Sequence, residues 1–410
     1  MIWKMAWRNL WRSKRRTIIT LVSIVFGIFL AVIHTGLSDG SYSKLIDMAA
    51  LMGAGHVTIE PIGYRKQQNI EIFITGVSRM IAAIKTRPDV LHASARIVGQ
   101  AMAATAEDSS GVGFVGIDPF DAKGQLVMLN HIIEGSFDAP SNASVVVIGA
   151  GLAKKLGVKL KSKVVITTTD KSGEVVSGLF RVCAIFKTGS DAADKYSIVV
   201  PIDSIRKLVG YGPEDASQIA VLVHDQRKAK RVAGELSALA EKHGGVSLPW
   251  FDVIPTLAAF IKIKSTSNYF IQILVFLLIA AGIFNTLLMS VLERFREFGI
   301  MMAMGMTPYR LWKLILAEAS FLAVVGILSG IVFTAPVFCY LHTHGLDMRG
   351  LVGQKMSLYG IMFDPVIRTA LFIDRELIVI CGVFVLVLIT GLYPAIIASK
   401  TRPVDAIKTL

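Results

Sequence analysis

The chain has 410 residues, of which 53% are hydrophobic and only 18% charged, against about a quarter charged in an ordinary soluble domain. Its mean hydropathy is +0.59, and 43 basic residues outnumber 30 acidic ones for a net charge of +13. This composition excludes a disordered chain, a secreted disulfide scaffold and an ordinary water-soluble enzyme. Two explanations of the positive excess remain, nucleic-acid binding and positive flanks on membrane helices, and the position of the charges decides between them.

Residues 1–17 hold Lys4, Arg8, Arg12, Lys14, Arg15 and Arg16 and no acid. At helical spacing Trp3, Ala6, Trp7, Leu10 and Trp11 share one face and Lys4, Arg8 and Arg12 another. That pattern predicts an amphipathic helix lying in a membrane interface; the plainer alternative is a basic flank without regular structure. Trp3, Trp7, Arg8, Trp11, Arg12, Arg15 and Arg16 are the candidate interface residues. Residues 18–38 are apolar over the roughly 20 positions that a helix needs to cross a bilayer. The run exceeds a signal-peptide core and no small-x-small site closely follows, so an uncleaved anchor is expected.

Residues 39–267 are too many for a loop and enough for one or two domains. Strands are expected at His56–Glu60, Val112–Ile117, Val145–Ile148, Lys163–Thr169, Leu179–Phe186, Ser197–Val200 and Ile219–His224. Helices are expected at Val77–Thr86, Ala150–Leu156, Ile202–Val209 and Arg227–Lys242. Turn signals such as Asp118-Pro119, Lys171-Ser172-Gly173 and Tyr211-Gly212-Pro213 separate them. The order allows two subdomains, one formed from both ends of the segment and one inserted between them.

Three further spans follow at 268–292, 311–341 and 377–399, joined by a short loop at 293–310 and a longer one at 342–376, with a tail at 400–410. Backbone groups in lipid must be satisfied internally, so all four spans are expected to be helices. The predicted fold is an α-helical membrane protein with four transmembrane helices and a large mixed α+β extracytoplasmic domain between helices 1 and 2. The N-terminal segment, the connection between spans two and three with Lys313 just beyond it, and the tail together hold thirteen basic and three acidic residues, whereas the 342–376 loop holds four of each sign. The positive-inside rule therefore places both termini and the 293–310 loop in the cytoplasm and the large domain outside. No nucleic-acid partner is expected, because the excess charge belongs to membrane flanks.

Few residues fall into a pattern that carries chemistry. Cys183, Cys339 and Cys381 are scattered and odd in number, which gives neither a disulfide framework nor metal spacing. The dipeptide Gly-Lys is absent, and with it the phosphate-binding loop G-x-x-x-x-G-K-[ST]. H-E-x-x-H and C-x-x-C are absent as well. His342 and His344 read as polar residues at a span end rather than as metal ligands. Glu318 falls inside the third span, where a carboxylate is costly; it is a candidate proton or substrate group, or a structural one pairing with Lys313. Asn285 and Gln272 in span two read as interhelical hydrogen-bonders. The 293–308 loop has mixed charges at its start and then an apolar, glycine-punctuated stretch, which suggests a docking surface for another protein or a helix against the membrane.

That loop resembles the E-R-x-R-E-x-G-x-x-x-A-x-G signature of MacB/FtsX-type (type VII) ABC transporter permeases through Glu293, Arg294, Arg296, Glu297, Gly299, Ala303 and Gly305, with Glu318 at the glutamate early in the next span. Ala6-Trp7-Arg8-Asn9-Leu10 with Lys14-Arg15-Arg16-Thr17 is similar to the family's opening. Tyr393-Pro394-Ala395, Ala398 and Pro403-Val404-Asp405-Ala406 are similar to its close. Gly116-Ile117-Asp118-Pro119 and Val147-Ile148-Gly149 with Leu152–Gly157 are similar to its periplasmic domain. The resemblance implies a non-catalytic membrane subunit of the bacterial inner membrane without a cofactor of its own, ATP and Mg2+ being handled by a partner ABC ATPase. It also implies a second permease copy or paralogue, with 293–306 as the ATPase-coupling element. The start only 17 residues before the first span, the total length and the Met52–Val57 stretch point to the stand-alone, LolC/LolE-like branch and to lipoprotein release. MacB-like export of peptides, antibiotics or other amphiphiles with a periplasmic adaptor is the alternative, and FtsX-like signalling to a cell-wall hydrolase a further one.

Overall fold

The computed structural model describes residues 2–67, 69–121, 124–352, 356–358, 361–363 and 365–400. The tail beyond 400, with the Pro403–Ala406 part of the closing motif, lies outside the described residues. The described residues within Met1–Ser41, Lys262–Leu346 and Ile367–Leu410 form one compact unit, and those within Tyr42–Ile261 and Asp347–Val366 another.

The first unit contains the apolar stretches of four long helices, Lys14–Ala49, Pro255–Glu293, Pro308–Thr343 and Ile373–Ser399, each long and apolar enough to cross a membrane. These helices outrun the expected spans because the apolar run sets only the part that must sit in lipid. Backbone hydrogen bonding continues through the polar residues that flank the apolar run. The expected amphipathic helix over 1–17 is shorter than read. It covers Ile2–Leu10, a turn follows at 11–13, and Lys14, Arg15 and Arg16 already belong to the first turn of the first span. The Thr17 hydroxyl donates to the Leu10 carbonyl at 2.5 Å and so closes the end of the short helix.

The spans pack through Ile24, Ile28, Ile279, Ile283, Ala323 and Val383, all nearly or wholly buried. Small residues set the approach: a Cβ on Gly326 would lie 2.7 Å from Ile24 Cγ2, and one on Gly330 would lie 2.9 Å from Ile28 Cδ1. Much of the remaining apolar surface faces outward, Val332 being 73% and Ile378 72% exposed, as lipid-facing residues must be.

The second unit is built on one ten-stranded sheet. Its strands are β1 (Val57–Pro61), β2 (Val90–Ala104), β3 (Ser109–Ile117), β4 (Ile132–Gly135), β5 (Val145–Gly149), β6 (Lys163–Thr169), β7 (Val175–Phe186), β8 (Ser197–Pro201), β9 (Gln218–Val223) and β10 (Gly245–Pro249). The order is β10-β1-β9-β2-β3-β8-β5-β7-β4, with β6 pairing both β2 and β7. The pairs β3–β8 and β5–β7 are parallel and the others antiparallel, so the sheet is mixed.

Strand β2 divides the domain. Its first half, Val90–Arg96, pairs with β9, and its second half, Ile97–Ala104, pairs with β3. Around the first half, helices Val77–Lys85 and Ala229–Glu241 cover a core that includes Ile59, Met80, Ile84, Val221 and Leu236. Around the second half, Ile97, Phe114, Ile148, Ile166 and Val200 form a separate core. Strands β2, β4 and β10 escape the sequence reading. The β2 run VLHASARIVGQAMAA is rich in alanine and broken by Arg96 and Gly99, so it lacks the β-branched alternation that marks a strand.

The first long helix ends in a π-turn at Ala50–Ala54, where Gly53 has φ +152° and the following Gly55 φ +78°. Both angles favour glycine. The side chain of Arg96 is 1% exposed. It donates through Nη1 to the Gly53 carbonyl and through Nη2 to the Gln125 carbonyl at 3.1 Å. Burial lowers its pKa to about 10, so it remains a cation at neutral pH. His56 Nε2 lies 3.0 Å from Asp47 Oδ1 and adds a second tie between this turn and the helix before it.

Candidate functional site

The candidate site is built on the loop between the second and third spans. Residues Phe295–Ala303 form a helix of nine residues. It stops in a Schellman arrangement: Met306 N donates to Met301 O and Gly305 N to Met302 O, both at 3.0 Å, with Gly305 at φ +97°. The next helix starts at once. Thr307 is its N-cap, its hydroxyl oxygen accepting from Arg310 N, and Pro308 takes the first helical position. Glycine, threonine and proline thus set a sharp corner that the sequence spells out.

Phe298 and Gly299 are buried on the loop helix, and Phe298 packs among Ala6, Val291, Leu311, Leu314 and Ala395. Above that apolar floor lies a network of charges. Arg294 Nη1 donates to both Glu318 oxygens, at 3.1 and 3.2 Å, and Asn9 Nδ2 donates to Glu318 Oε1 at 2.7 Å. Arg294 and Glu318 side chains are each 13% exposed. The Arg294 guanidinium also lies 5.1 Å from the Phe298 ring centre. Arg294 Nε reaches Glu297 at 3.3 Å, Arg12 holds the same carboxylate at 2.7 and 2.9 Å, and Arg16 pairs with Glu293. Burial pushes the Glu297 carboxyl upward, but Arg12 and Arg294 outweigh it and hold the group below its ordinary 4.5. The network ties the N-terminal helix and its turn to the loop helix and the third span, and the Arg16–Glu293 pair joins the start of the first long helix to the end of the second.

The expected Glu318–Lys313 pair does not form. Five residues on a helix turn through about 140° beyond a full circle, which puts the two side chains on different faces. Lys313 Nζ instead sits 4.5 Å from the Tyr309 ring centre. Asn285, expected to bond across helices, is exposed and bonds to no other described residue. Gln272 also falls short of that reading, its buried Nε2 having no hydrogen-bond partner among the described residues. Arg296, Ala303, Arg8 and Arg15 are exposed. Trp3, Trp7 and Trp11 are 61, 42 and 38% exposed, and the first two meet Phe321 edge-on at 5.5 and 5.4 Å. His342 Nδ1 bonds the Thr369 carbonyl at 2.7 Å; among the described residues no group of three or more His, Cys, Asp or Glu is placed to hold a metal. Asn9 and Arg96 are the polar residues that the site reading overlooked. Asn9 stands in the opening motif, but nothing in the sequence says that it reaches a residue 309 positions away.

Residues 17–239 match the model of the MacB-like periplasmic core domain, and residues 269–403 match that of the FtsX-like permease C-terminal domain. The chain belongs to the MacB/FtsX-type family of ABC permeases. Among relatives, the lipoprotein-releasing system transmembrane protein LolC of Neisseria meningitidis serogroup B is 22% identical over 410 residues, covering 97% of this chain and 96% of that protein. The pyoverdine export ATP-binding/permease protein PvdT of Pseudomonas entomophila is 28% identical over 346 residues, which is 80% of this chain and 50% of PvdT. This MacB/FtsX-type chain therefore spans about half the length of the PvdT proteins it matches. The periplasmic region of MacB from Actinobacillus actinomycetemcomitans aligns with a TM-score of 0.36 and 16% identity, over 50% of this chain and 94% of that one.

Proposed function

We propose that this chain is the permease of an ATP-driven machine of the bacterial inner membrane, with both termini in the cytoplasm and the ten-stranded domain in the periplasm. ATP and Mg2+ are handled by a partner ATPase; the phosphate-binding loop is absent from these 410 residues. The loop helix Phe295–Ala303 is the element that the ATPase grips, and the permease carries no catalysis of its own. The observation that carries this reading is the Arg294–Glu318–Asn9 cluster. It fixes the loop helix to the third span and to the N-terminal helix, so a push on the loop displaces the span rather than bending a free tether. Coupling requires two states with different contacts at each end, and a buried pair whose geometry must be kept or broken supplies one such contact. Family membership implies a second permease copy. Asn285 supports it, since an exposed amide on an apolar helix is satisfied by a neighbouring helix.

The cargo we assign is a lipoprotein taken from the outer leaflet, with a periplasmic carrier to receive it. Support comes from the end-to-end match to LolC, and from spans whose exposed surface is apolar rather than a polar path. The PvdT matches favour the second reading, export of a smaller amphiphile through a periplasmic adaptor. Photo-crosslinking from the outer domain in cells separates them: triacylated lipoproteins are expected, whereas an adaptor would support the second reading and a cell-wall hydrolase would replace both with signalling. For the coupling role, Glu297→Lys and Gly299→Trp are expected to leave membrane insertion intact while disconnecting ATP hydrolysis from transport. Normal transport by both variants overturns that role.

A further inference from the structure

The third long helix is held at both ends, and the far end has its own device. From Glu318, where the loop helix is attached, to Phe338 this helix rises about 30 Å. Pro336 lies inside it near the far end. A proline has no N–H for the Val332 carbonyl and its ring crowds that group, so the last turns are the part of the helix most easily bent. A displacement delivered at Glu318 is lost there unless the turns beyond Pro336 are fixed.

The segment that leads into the fourth long helix fixes them, within the same compact unit. Its residues 368–370 lie against the first long helix at Gly36 and Gly40, which stand four apart and share one face. Ala370 N donates to Gly36 O at 2.9 Å. A Cβ on Gly40 would overlap the Arg368 carbonyl oxygen, and one on Gly36 would lie 2.5 Å from Phe338 Cε2, so the close approach requires glycine at both positions. Thr369, 2% exposed, is the pin: its hydroxyl donates to the Phe338 carbonyl at 3.2 Å, and its own carbonyl accepts from His342 Nδ1 at 2.7 Å. Phe338 and His342 both follow Pro336. Arg375, at the start of the fourth long helix, pairs with the buried Asp39 beside the same glycines. We propose that residues 367–372 form a clamp that carries displacement of the third long helix past Pro336 and into the first, with Gly36, Gly40 and Thr369 as its positioning residues. The proposal rests on the coupling reading above, in which the push enters at Glu318. Three of the four bonds named involve main-chain atoms, whose positions the helices set, so the clamp keeps the register of the helices and not merely their contact.

The test is hydrogen exchange by mass spectrometry on the full-length protein in lipid nanodiscs. Thr369→Val keeps the side chain's shape and removes its hydroxyl; it is expected to speed exchange over 337–343 about tenfold while 311–320 stays protected. Thr369→Ser, which restores the donor, should return the rate of the unaltered protein, and Gly40→Ala should exceed Thr369→Val. Unchanged exchange over 337–343 in Thr369→Val overturns the clamp. A double-mutant cycle with Glu318→Gln, which perturbs the opposite end of the helix, reads the relay. Glu318→Gln alone is expected to raise exchange over 311–320 and also over 36–41, and in the Thr369→Val background over 311–320 only. A response at 36–41 that survives Thr369→Val, or one confined to 311–320 in the single variant, overturns the relay and leaves the loop-helix reading standing. No response over 311–320 defeats the reading of Glu318 itself, and the relay with it.

Discussion

In the membrane unit the apolar side chains of the spans face outward, Val332 being 73% and Leu278 63% exposed, while the charges Arg294 and Glu318 lie inside. In the ten-stranded domain Ile59 and Ile97 are wholly buried, and ion pairs such as Arg87–Glu235 and Arg231–Asp89 sit on the surface. The difference follows from the solvent: lipid accepts aliphatic surface and rejects charge, and water does the reverse. Each unit also holds a deeply placed arginine, fixed in a different way. Arg294 is neutralised by a carboxylate, whereas Arg96 is held by carbonyls of Gly53 and Gln125 and keeps its charge uncompensated. An ion pair can be broken and remade as a switch; a cation held by backbone carbonyls works as a fixed brace.

The largest expected effect tests the ion pair. Arg294→Met strands the Glu318 carboxylate and is expected to cost about 3–5 kcal/mol, read as a fall in the thermal unfolding midpoint by tryptophan fluorescence. Arg294→Met/Glu318→Leu should recover most of it. Equal losses in the single and double variants would show that packing, rather than charge pairing, holds the loop. Next comes the brace. Arg96→Met leaves the Gln125 carbonyl without its donor, at about 1–3 kcal/mol, and leaves Gly53 O with Gln218 Nε2 alone at 3.0 Å; hydrogen exchange over Ala50–Ala54 should accelerate while the strands distal to β2 stay protected. Uniform acceleration across the sheet would mean that Arg96 supports the whole domain and not the turn.

A smaller effect is expected at the corner after the loop helix. Gly305→Ala forces an L-residue into a left-handed conformation, at a cost of roughly 1–2 kcal/mol, seen as faster exchange across Phe295–Ala303. Unchanged exchange would mean that the corner relaxes freely. The smallest concerns pH. Glu297 is held below 4.5, so its contribution is present above that value and lost as pH falls through the lower, folded value. Protection of the loop helix should therefore drop below about pH 4.5, and Arg12→Gln should weaken that dependence. A loop equally protected at pH 7 and pH 3 would remove Glu297 from the network.

What the sequence determined by itself was everything set locally or by solvent. Four apolar runs long enough for a bilayer specify four helices, because lipid offers the backbone no other partner. Gly305, Thr307 and Pro308 specify the corner, because each residue suits a backbone geometry or cap there. The ordered motifs around Glu293–Gly305 also carried the family. Tertiary structure alone decided which charges meet: Glu318 turns toward Arg294 and Asn9 rather than Lys313 because helix rotation separates it from its sequence neighbour and the packing of Phe298 brings the loop helix to it. It alone decided that the alanine-rich run 90–104 is the central strand shared by two cores. Alanine by itself favours helix, and burial of its neighbours within the sheet overrides that preference.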